Sequence, residues 1–351
     1  MRYSIIKLTA LLAVVSLLLP ACSSITYLHI ETYNPATITF PEQVKKILVV
    51  NNAVAQAPDV GYELKIYGVE QDTCRALADS ALYYACKSLG NAIVEANYFE
   101  DVLLYNTPTR TDDLYLADEK LSQSQVRRLC AETGTDAVIS FDRLLFQMKK
   151  NVIGYVEGFV AGEAKVNASG VLRVYIPSRS ASLTTAMVSD SLTVFEMADD
   201  LKQLNEIMPS PDDMLSLAGS VIGQNSSPLF VPYWQEEPRW YFKGNGSRWK
   251  EATAYANTQN WEQAAALWTI IYQKSSGKAK AKAKAASNMA FYEEMKGEFQ
   301  KAHEWSVLAY DLFVAHKGEE AHETELLKAY KQALSERITA NAKLNVQFGE
   351  K

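Results

Sequence analysis

The sequence contains few residues of the kind that bind metal ions. There are four histidines and four cysteines among 351 residues. His322 and Glu323 begin a pattern typical of zinc proteases, but Leu326 stands where the second histidine ligand would be. We therefore expect no metal centre and no other cofactor.

Motifs of other enzyme classes are also missing. No glycine-rich loop ends in Gly-Lys-Ser or Gly-Lys-Thr, which excludes a P-loop. Ser220 follows Gly219, but Gly223 comes one position too late for a nucleophile elbow. The net charge of −6 argues against a nucleic-acid partner, because such partners bind basic surfaces. These absences predict a protein that is not an enzyme.

The cysteines predict free thiols rather than a disulfide framework. Cys74 and Cys86 fall in one predicted helix over residues 71–96, about 18 Å apart. A disulfide requires Cα atoms within about 7 Å, so these two residues cannot pair if that helix is continuous. We expect Cys74, Cys86 and Cys130 to be small buried hydrophobic residues.

The longest apolar run lies near the amino terminus. Arg2 and Lys7 come before residues 8–19, which are apolar except for two hydroxyl residues. This arrangement is typical of a signal peptide. Twelve helical residues rise only about 18 Å, whereas the hydrocarbon core of a bilayer is about 30 Å thick. We therefore expect residues 1–21 to be removed.

The next residues, Leu19, Pro20, Ala21 and Cys22, resemble a lipobox. In that motif the cysteine thiol receives a diacylglyceryl group before cleavage. Pro20 departs from the usual small or hydroxylated residue at its position. Acyl chains contribute about 0.8 kcal/mol per buried CH₂, so two or three of them hold a protein firmly. The resemblance predicts a lipid anchor on Cys22.

The residues behind Cys22 bear on the destination of the protein. Ser23 and Ser24 follow the cysteine, and the first acidic residue is Glu31. By resemblance to the sorting rules of lipoproteins, the absence of an aspartate after the cysteine favours the outer membrane. The absence of a short acidic run favours a body that faces the periplasm.

The chain after the anchor divides by sequence pattern. Residues 22–43 are polar and lack a clear period, which is typical of a tether. Residues 44–229 predict an α/β or α+β layered domain with a mixed sheet and a β-hairpin region. Its expected strands lie at 44–50, 101–105, 136–146 and within 152–195, and its expected helices at 71–96, 122–132 and from Ser210 to Gly223. Residues 230–247 form an aromatic linker, and 248–347 an all-helical domain.

Two stretches of the helical domain align with each other at a spacing of 38 residues. Ala252, Trp261 and Ala264 match Ala290, Phe299 and Ala302. Each stretch resembles a tetratricopeptide repeat, a pair of helices whose small residues allow close packing. With the lipobox, residues 248–310 make the chain similar to lipoproteins of the Bacteroidetes that carry such repeats at their carboxyl end.

The resemblance implies a scaffold that binds other envelope proteins through the first helix of each repeat. The residues expected on that face are Trp249, Thr253, Asn257, Ser287, Phe291 and Glu294. An alternative places a glycan on the aromatic segment 230–249, where Trp234 and Trp240 would stack on sugar rings. Four lysines between residues 278 and 284 are interpreted as a solvated helix surface, with contact to anionic headgroups as the alternative.

Overall fold

The computed structural model describes residues 24–71, 74–154, 158–275 and 277–349. The predicted signal peptide and the lipobox residues 19–22 lie outside these ranges. The described chain divides into two compact units. The sheet unit contains residues 33–233 and 343–349, and the helical unit contains residues 24–32 and 234–342.

A mixed sheet is the centre of the sheet unit, as the sequence predicted. Its described strands are β2 (Lys46–Asn51), β3 (Tyr62–Ile66), β4 (Val69–Gln71), β5 (Asp101–Tyr105), β6 (Ala137–Gly154), β7 (Val160–Tyr175) and β8 (Thr184–Ala198). β2 pairs in parallel with β5 on one side and with β6 on the other. The long β6 also pairs with β3 near its end, and its other edge pairs with β7, which is antiparallel to β6 and to β8.

Helices cover both faces of the parallel strands. They are α1 (Asp79–Glu95), α2 (Gln123–Thr133), α3 (Leu201–Ile207) and α4 (Pro211–Asn225). Ile47 and Val49 of β2 pack in the core that includes α1 and α4, whereas Leu48 and Val50 pack in the core that includes α2. Successive side chains of a strand point to opposite faces, so the run Ile-Leu-Val-Val is buried on both.

The contact between α1 and α4 corrects two predictions. Gly223 does not end its helix, because α4 continues to Asn225. A Cβ atom at Gly223 would lie 2.1 Å from the carbonyl oxygen of Ala85, so this glycine allows the two helices to pack closely. The helix expected over 71–96 begins only at Asp79. Before it, the Ala76 N–H donates to the Pro58 carbonyl, which leaves Cys74 outside the helix and half-buried.

The helical unit contains two pairs of helices joined by equivalent turns. The first pair is α5 (Ser247–Asn257) and α6 (Trp261–Lys274), and the second is α7 (Ala279–Met295) and α8 (Phe299–Lys317). Gln259 and Gly297, 38 positions apart, both have positive φ, at 57° and 78°. The matched alanines at 252, 264, 290 and 302 are all fully buried. The internal repeat seen in the sequence therefore has a structural counterpart.

The remaining elements are a long last helix and a two-stranded ribbon. Helix α9 spans His322–Gln347, and the ribbon pairs β1 (Ile25–Asn34) with β9 (Tyr233–Phe242). The Lys243 N–H donates to the Ser24 carbonyl over 2.7 Å, and Thr32 Oγ1 donates to the Gln235 carbonyl over 3.1 Å. These contacts make the two strands antiparallel.

The ribbon differs from the expected tether at 22–43 and aromatic linker at 230–247. Each of its strands pairs with a strand that lies about two hundred positions away in the sequence. A strand becomes stable only when its backbone groups are paired, so local pattern alone gave no reason to expect one here. None of the helices within the described ranges is long and apolar enough to cross a bilayer.

Candidate functional site

The face of α7 that was expected to meet a partner carries β9 instead. The Phe242 N–H donates to Asn288 Oδ1 over 2.6 Å, and Asn288 Nδ2 donates to the Phe242 carbonyl over 2.8 Å. Asn288 is fully buried. Its side-chain amide thus satisfies one backbone donor and one backbone acceptor of β9, as a neighbouring strand would.

A buried ion pair fastens the same strand. Arg239 Nε lies 2.8 Å from Glu294 Oε2, and Arg239 Nη2 lies 2.7 Å from Glu294 Oε1. The Tyr330 hydroxyl donates to Glu294 Oε2 over 2.6 Å. Burial alone would lower the pKa of Arg239, but the hydrogen bond and charge of Glu294 raise it above its usual value. Burial and Glu294 also raise the pKa of Tyr330, so its proton stays on the hydroxyl.

Aromatic side chains of β9 fill the spaces on either side of α7. Tyr241 joins the cluster formed with α5 and α6, and its hydroxyl donates to Asn257 Oδ1 over 2.6 Å. Phe242 joins the cluster formed with α8 and α9, where its ring centroid lies 5.5 Å from that of Phe313. We call the surface formed by Asn257, Asn288, Glu294 and Tyr330 the strand groove. It is filled by the chain itself.

This arrangement corrects the expected partner-binding face. Four of the six residues predicted to contact a partner are buried: Trp249, Ser287, Phe291 and Glu294. Thr253 donates to the Trp249 carbonyl of its own helix, and exposed Asn257 accepts from Tyr241. The helix faces expected to meet a partner instead contact β9 of the same chain.

The two tryptophans of the glycan alternative do not form one stacking surface. Trp234 is 66% exposed. Trp240 packs on Tyr330, with ring centroids 5.3 Å apart, and belongs to the periphery of a helical core cluster. One exposed ring therefore remains where the glycan alternative expects two.

An open concave surface lies in the sheet unit. A cleft of about 670 Å³ is formed at the carboxyl ends of β2 and β5, beside the first turn of α1. Crevices at the carboxyl ends of parallel strands commonly bind ligands, because the loops that follow the strands project there. The side chains that line this carboxyl-edge cleft include Asn51, Gln56, Leu77, Asp79, Tyr83, Cys86, Tyr105, Asn106, Arg110, Asp112 and Tyr115.

The loop over residues 106–121 forms one wall of the cleft and is held by Arg110. Its guanidinium donates to Asp112 over 2.6 and 2.9 Å and to the carbonyls of Ala117 and Leu114. The hydrogen bond from Arg110, with that from the Leu114 N–H, lowers the pKa of Asp112 to about 2. The loop therefore has its own internal framework.

A buried carboxylate ties this loop to the sheet. Asp142 accepts hydrogen bonds from Asn52 at 3.0 Å, Ser140 at 2.7 Å, Arg173 at 2.7 Å and Tyr175 at 2.5 Å. Asn52 and Arg173 then reach the loop, since Asn52 donates to the Glu119 carbonyl and Arg173 to the Asp118 carbonyl and carboxylate.

The charges of this network keep its donors protonated. Burial alone would lower the pKa of Arg173, but Asp142 and Asp118 raise it above its usual value. Burial and the charge of Asp142 raise the pKa of Tyr175. The donors that hold the cleft wall therefore keep their protons across the physiological range.

Large apolar side chains surround the mouth of the cleft. Leu77 and Tyr83, which line the cleft, are 53% and 41% exposed, and Leu114 and Leu116 of the loop beside it are 58% and 62% exposed. Exposed apolar groups that cluster around a concavity mark a surface that meets another molecule. Cys86, at the floor of the cleft, has a pKa raised to about 12 by burial, so its thiol is not ionised at neutral pH.

Two family models match the sequence. The model described as "Domain of unknown function (DUF8603)" matches residues 44–242, and the one described as "Domain of unknown function (DUF6340)" matches residues 250–336. No curated protein matches the chain.

Several solved structures are distantly similar. The PelC dodecamer from Paraburkholderia phytofirmans is 13% identical and covers 59% of this chain and 99% of its own, with a TM-score of 0.25. Protein XCC0632 from Xanthomonas campestris is 9% identical and covers 56% and 92%, with a TM-score of 0.22. Lipoprotein GNA1162 from Neisseria meningitidis is 13% identical and covers 46% and 91%, with a TM-score of 0.19.

Proposed function

Because the chain belongs to the family described as "Domain of unknown function (DUF8603)", whose description names no activity, we propose a function from its own geometry. We propose a lipid-anchored, non-enzymatic protein of the cell envelope that binds another protein at the carboxyl-edge cleft. The helical unit serves as a scaffold of two tetratricopeptide-like repeats. The observation that carries the proposal is the open cleft with an apolar rim.

The cleft suits a protein partner better than a small substrate. Its interior offers polar groups, but those of Arg110 and Asp112 are engaged with each other. Leu114 and Leu116 are exposed on the loop that walls the cleft but do not line its interior, so a ligand confined to the interior would not need them. A protein surface would cover both the interior and these rim residues, and would remove their apolar area from water.

Support for the scaffold role comes from the helical unit. Its two helix pairs have matched buried alanines and matched turns, which is the arrangement that tetratricopeptide repeats require. The strand groove, which in such a scaffold would be the natural place for an extended partner, already holds β9. The unit therefore presents its outer surfaces, rather than that groove, to the rest of the envelope.

Lysines of the helical unit lie near Ser24, close in sequence to the expected anchor on Cys22. Ser24 lies two positions after Cys22, so at most about 7 Å of extended chain joins them. The Ser24 carbonyl accepts from Lys243, whose own carbonyl accepts from Lys284 over 2.9 Å. Exposed Lys278 and Lys280 lie at the same end of α7. Each lysine near an anionic surface contributes about 1 kcal/mol, which would assist a lipid on Cys22.

Membrane fractionation tests the anchor. The wild-type chain should sediment with outer membranes, whereas Cys22→Ser should be absent from them and should keep residues 1–21, because cleavage follows lipidation. Protease treatment of intact cells, followed with an antibody to the helical unit, tests the orientation. Loss of the signal without lysis would contradict a periplasmic body.

Site-specific photocrosslinking tests the cleft. A photoreactive residue at Tyr83 or Leu114 should give a protein adduct in intact cells. The matched control is Tyr67, which is 53% exposed in the turn between β3 and β4 of the same unit. Equal adducts from all three positions, or none from the cleft positions, would rule out the cleft as the binding site.

A further inference from the structure

Strand β8 is a long edge strand with little protection. Its residues 184–198 pair with β7 along their length, and its other edge has no strand partner within the described chain. The sequence of β8 contains no proline, glycine, lysine or arginine. Proteins usually protect such edges with proline, lysine, bulges or short strands, because unpaired backbone groups attract another strand.

The two faces of β8 differ in a regular way. Ala186, Val188, Leu192 and Val194 pack against the core of the sheet unit. The alternate residues form an exposed row without a charge, consisting of Thr185, Met187, Ser189, Ser191, Thr193, Phe195 and Met197. Met187 is 76% exposed and Phe195 is 55% exposed. The row is polar in its centre and apolar towards both ends.

The acidic residue near the centre of β8 does not present a free charge at the edge. Asp190 is on the core-facing side, and its Oδ2 accepts a hydrogen bond of 2.6 Å from Asn225 Nδ2 at the end of α4. An inward charge often protects an edge strand, but this carboxylate already has a partner.

We infer that β8 pairs with β8 of a second copy of this chain, antiparallel, with Ser191 opposite Ser191. In this register Met187 faces Phe195 of the other copy, Ser189 faces Thr193 and Val188 faces Val194. Each of these pairs occurs twice because of the two-fold axis. Directly opposed apolar and hydroxyl pairs are favourable across antiparallel strands.

In neighbouring registers, the side chains that lie opposite each other are less compatible. Centring the pair on Asp190 would place two aspartates opposite each other, and like charges there are destabilising. Centring it on Leu192 would place Glu196 opposite Val188 and Phe195 opposite Ser189. A centre between two residues would pair the exposed row of one copy with the core-facing row of the other, which a continuous sheet does not allow. The strand is therefore more complementary to itself in the register centred on Ser191 than in the neighbouring registers.

The pairing would join the two sheets into one through β7 and β8 of each copy. The edge backbone groups of β8 would be satisfied, and Met187 and Phe195 would be covered on both sides of the axis. The surface lies away from the residues of the carboxyl-edge cleft in sequence and in strand position. The inference therefore stands independently of the proposed function.

Cysteine crosslinking of the detergent-solubilised full-length chain tests the register. Ser191→Cys should form a covalent dimer under mild oxidation, because opposed residues have Cα atoms about 4.5–5.5 Å apart, within disulfide range. Thr193→Cys is the matched control, since the two introduced thiols would be separated by about four residues, or roughly 13 Å. The wild type, which keeps Cys86 and Cys130 buried, sets the background. Equal crosslinking of both variants, or none above background, would overturn the register.

A charge-exchange experiment tests the pairing without a covalent bond. Ser189→Lys with Thr193→Lys places like charges opposite each other twice, and should raise the dimer dissociation constant roughly tenfold or more. Ser189→Lys with Thr193→Glu opposes unlike charges and should restore the wild-type value. Asn167→Lys, on the same face of β7, is the control that should leave the dimer intact. Sedimentation velocity gives the dimer fraction, and a monomeric wild type, or two double variants that dissociate equally, would refute the inference.

Discussion

The two units each contain a concave surface, and one is filled while the other is open. In the strand groove, Arg239, Glu294 and Tyr330 hold the chain's own β9. At the carboxyl-edge cleft, Arg173, Asp142 and Tyr175 form the same combination of side chains and hold the loop that walls the cleft. The buried chemistry is similar in both places, but only the second leaves room for another molecule.

This difference shows that a binding face cannot be assigned from a repeat pattern alone. The helix faces that the pattern identified do contact an extended polypeptide, but the polypeptide is part of the same chain. The strand groove and the carboxyl-edge cleft each depend on a buried ion pair, so both can be tested with the same kind of substitution. Removing one partner leaves an uncompensated buried charge, which usually costs more than the pair contributed.

The largest effect is expected at Asp142, which accepts from four donors. Asp142→Ala should lower the free energy of unfolding of the sheet unit by about 3–5 kcal/mol, because Arg173 would lose its buried partner. Urea denaturation followed by circular dichroism measures this. Asp113→Ala, an exposed residue of the cleft loop, is the control and should change stability by less than about 0.5 kcal/mol. A loss below about 1 kcal/mol for Asp142→Ala would show that the network does not hold the cleft wall.

Glu294→Ala should have the second-largest effect, about 3 kcal/mol on the helical unit. The effect should be smaller than at Asp142, because Glu294 accepts from two side chains whereas Asp142 accepts from four. Release of β9 should also shift the fluorescence of Trp240 towards the red as its ring becomes hydrated. Glu236→Ala changes an exposed glutamate of the same strand and should leave both signals unchanged. An unshifted spectrum at reduced stability would mean that β9 is held by its aromatic side chains instead.

A smaller loss, about 2 kcal/mol, is expected for Asn288→Ala. The substitution leaves the buried N–H and carbonyl of Phe242 without partners, and an unsatisfied buried group costs about 1–3 kcal/mol. Asn257→Ala removes one contact from an exposed residue and should cost less than about 1 kcal/mol. Equal losses for the two variants would contradict the role assigned to Asn288 as a substitute for a neighbouring strand.

Whether an element could be predicted from the sequence depends on whether its contacts are local or distant along the chain. The helix at 123–133 was expected, and its capping box of Ser122 and Gln125 lies within four residues. The strand at 101–105 and the matched helix pairs also follow from local pattern. The ribbon of β1 and β9 did not, since its two strands lie about two hundred residues apart in the sequence. The cleft wall depends on the contact from Arg173 to Asp118, 55 positions apart, which no local pattern reveals.

The smallest expected effect is a pH dependence of folding stability that distinguishes the strand groove from the carboxyl-edge cleft. Lys284 donates to the carbonyl of Lys243, next to β9, and burial lowers the pKa of Lys284 from 10.5 to about 8. Between about pH 8 and 10.5 the unfolded chain binds more protons at this residue than the folded chain, so folding becomes more favourable as the pH rises. The donors around Asp142 have their pKa raised, so these donors do not make this contribution.

The measurement is the difference in unfolding free energy between the wild type and Lys284→Met at several pH values from 7 to 10.5. Subtracting the variant removes the titration of the tyrosines, which both proteins share. The difference should move in favour of the wild type as the pH rises above about 8. Gln300→Met, which changes an exposed residue that does not titrate, should give a constant difference over the same range. A constant or falling difference for Lys284→Met would show that the lysine beside the filled groove is solvated like its neighbours.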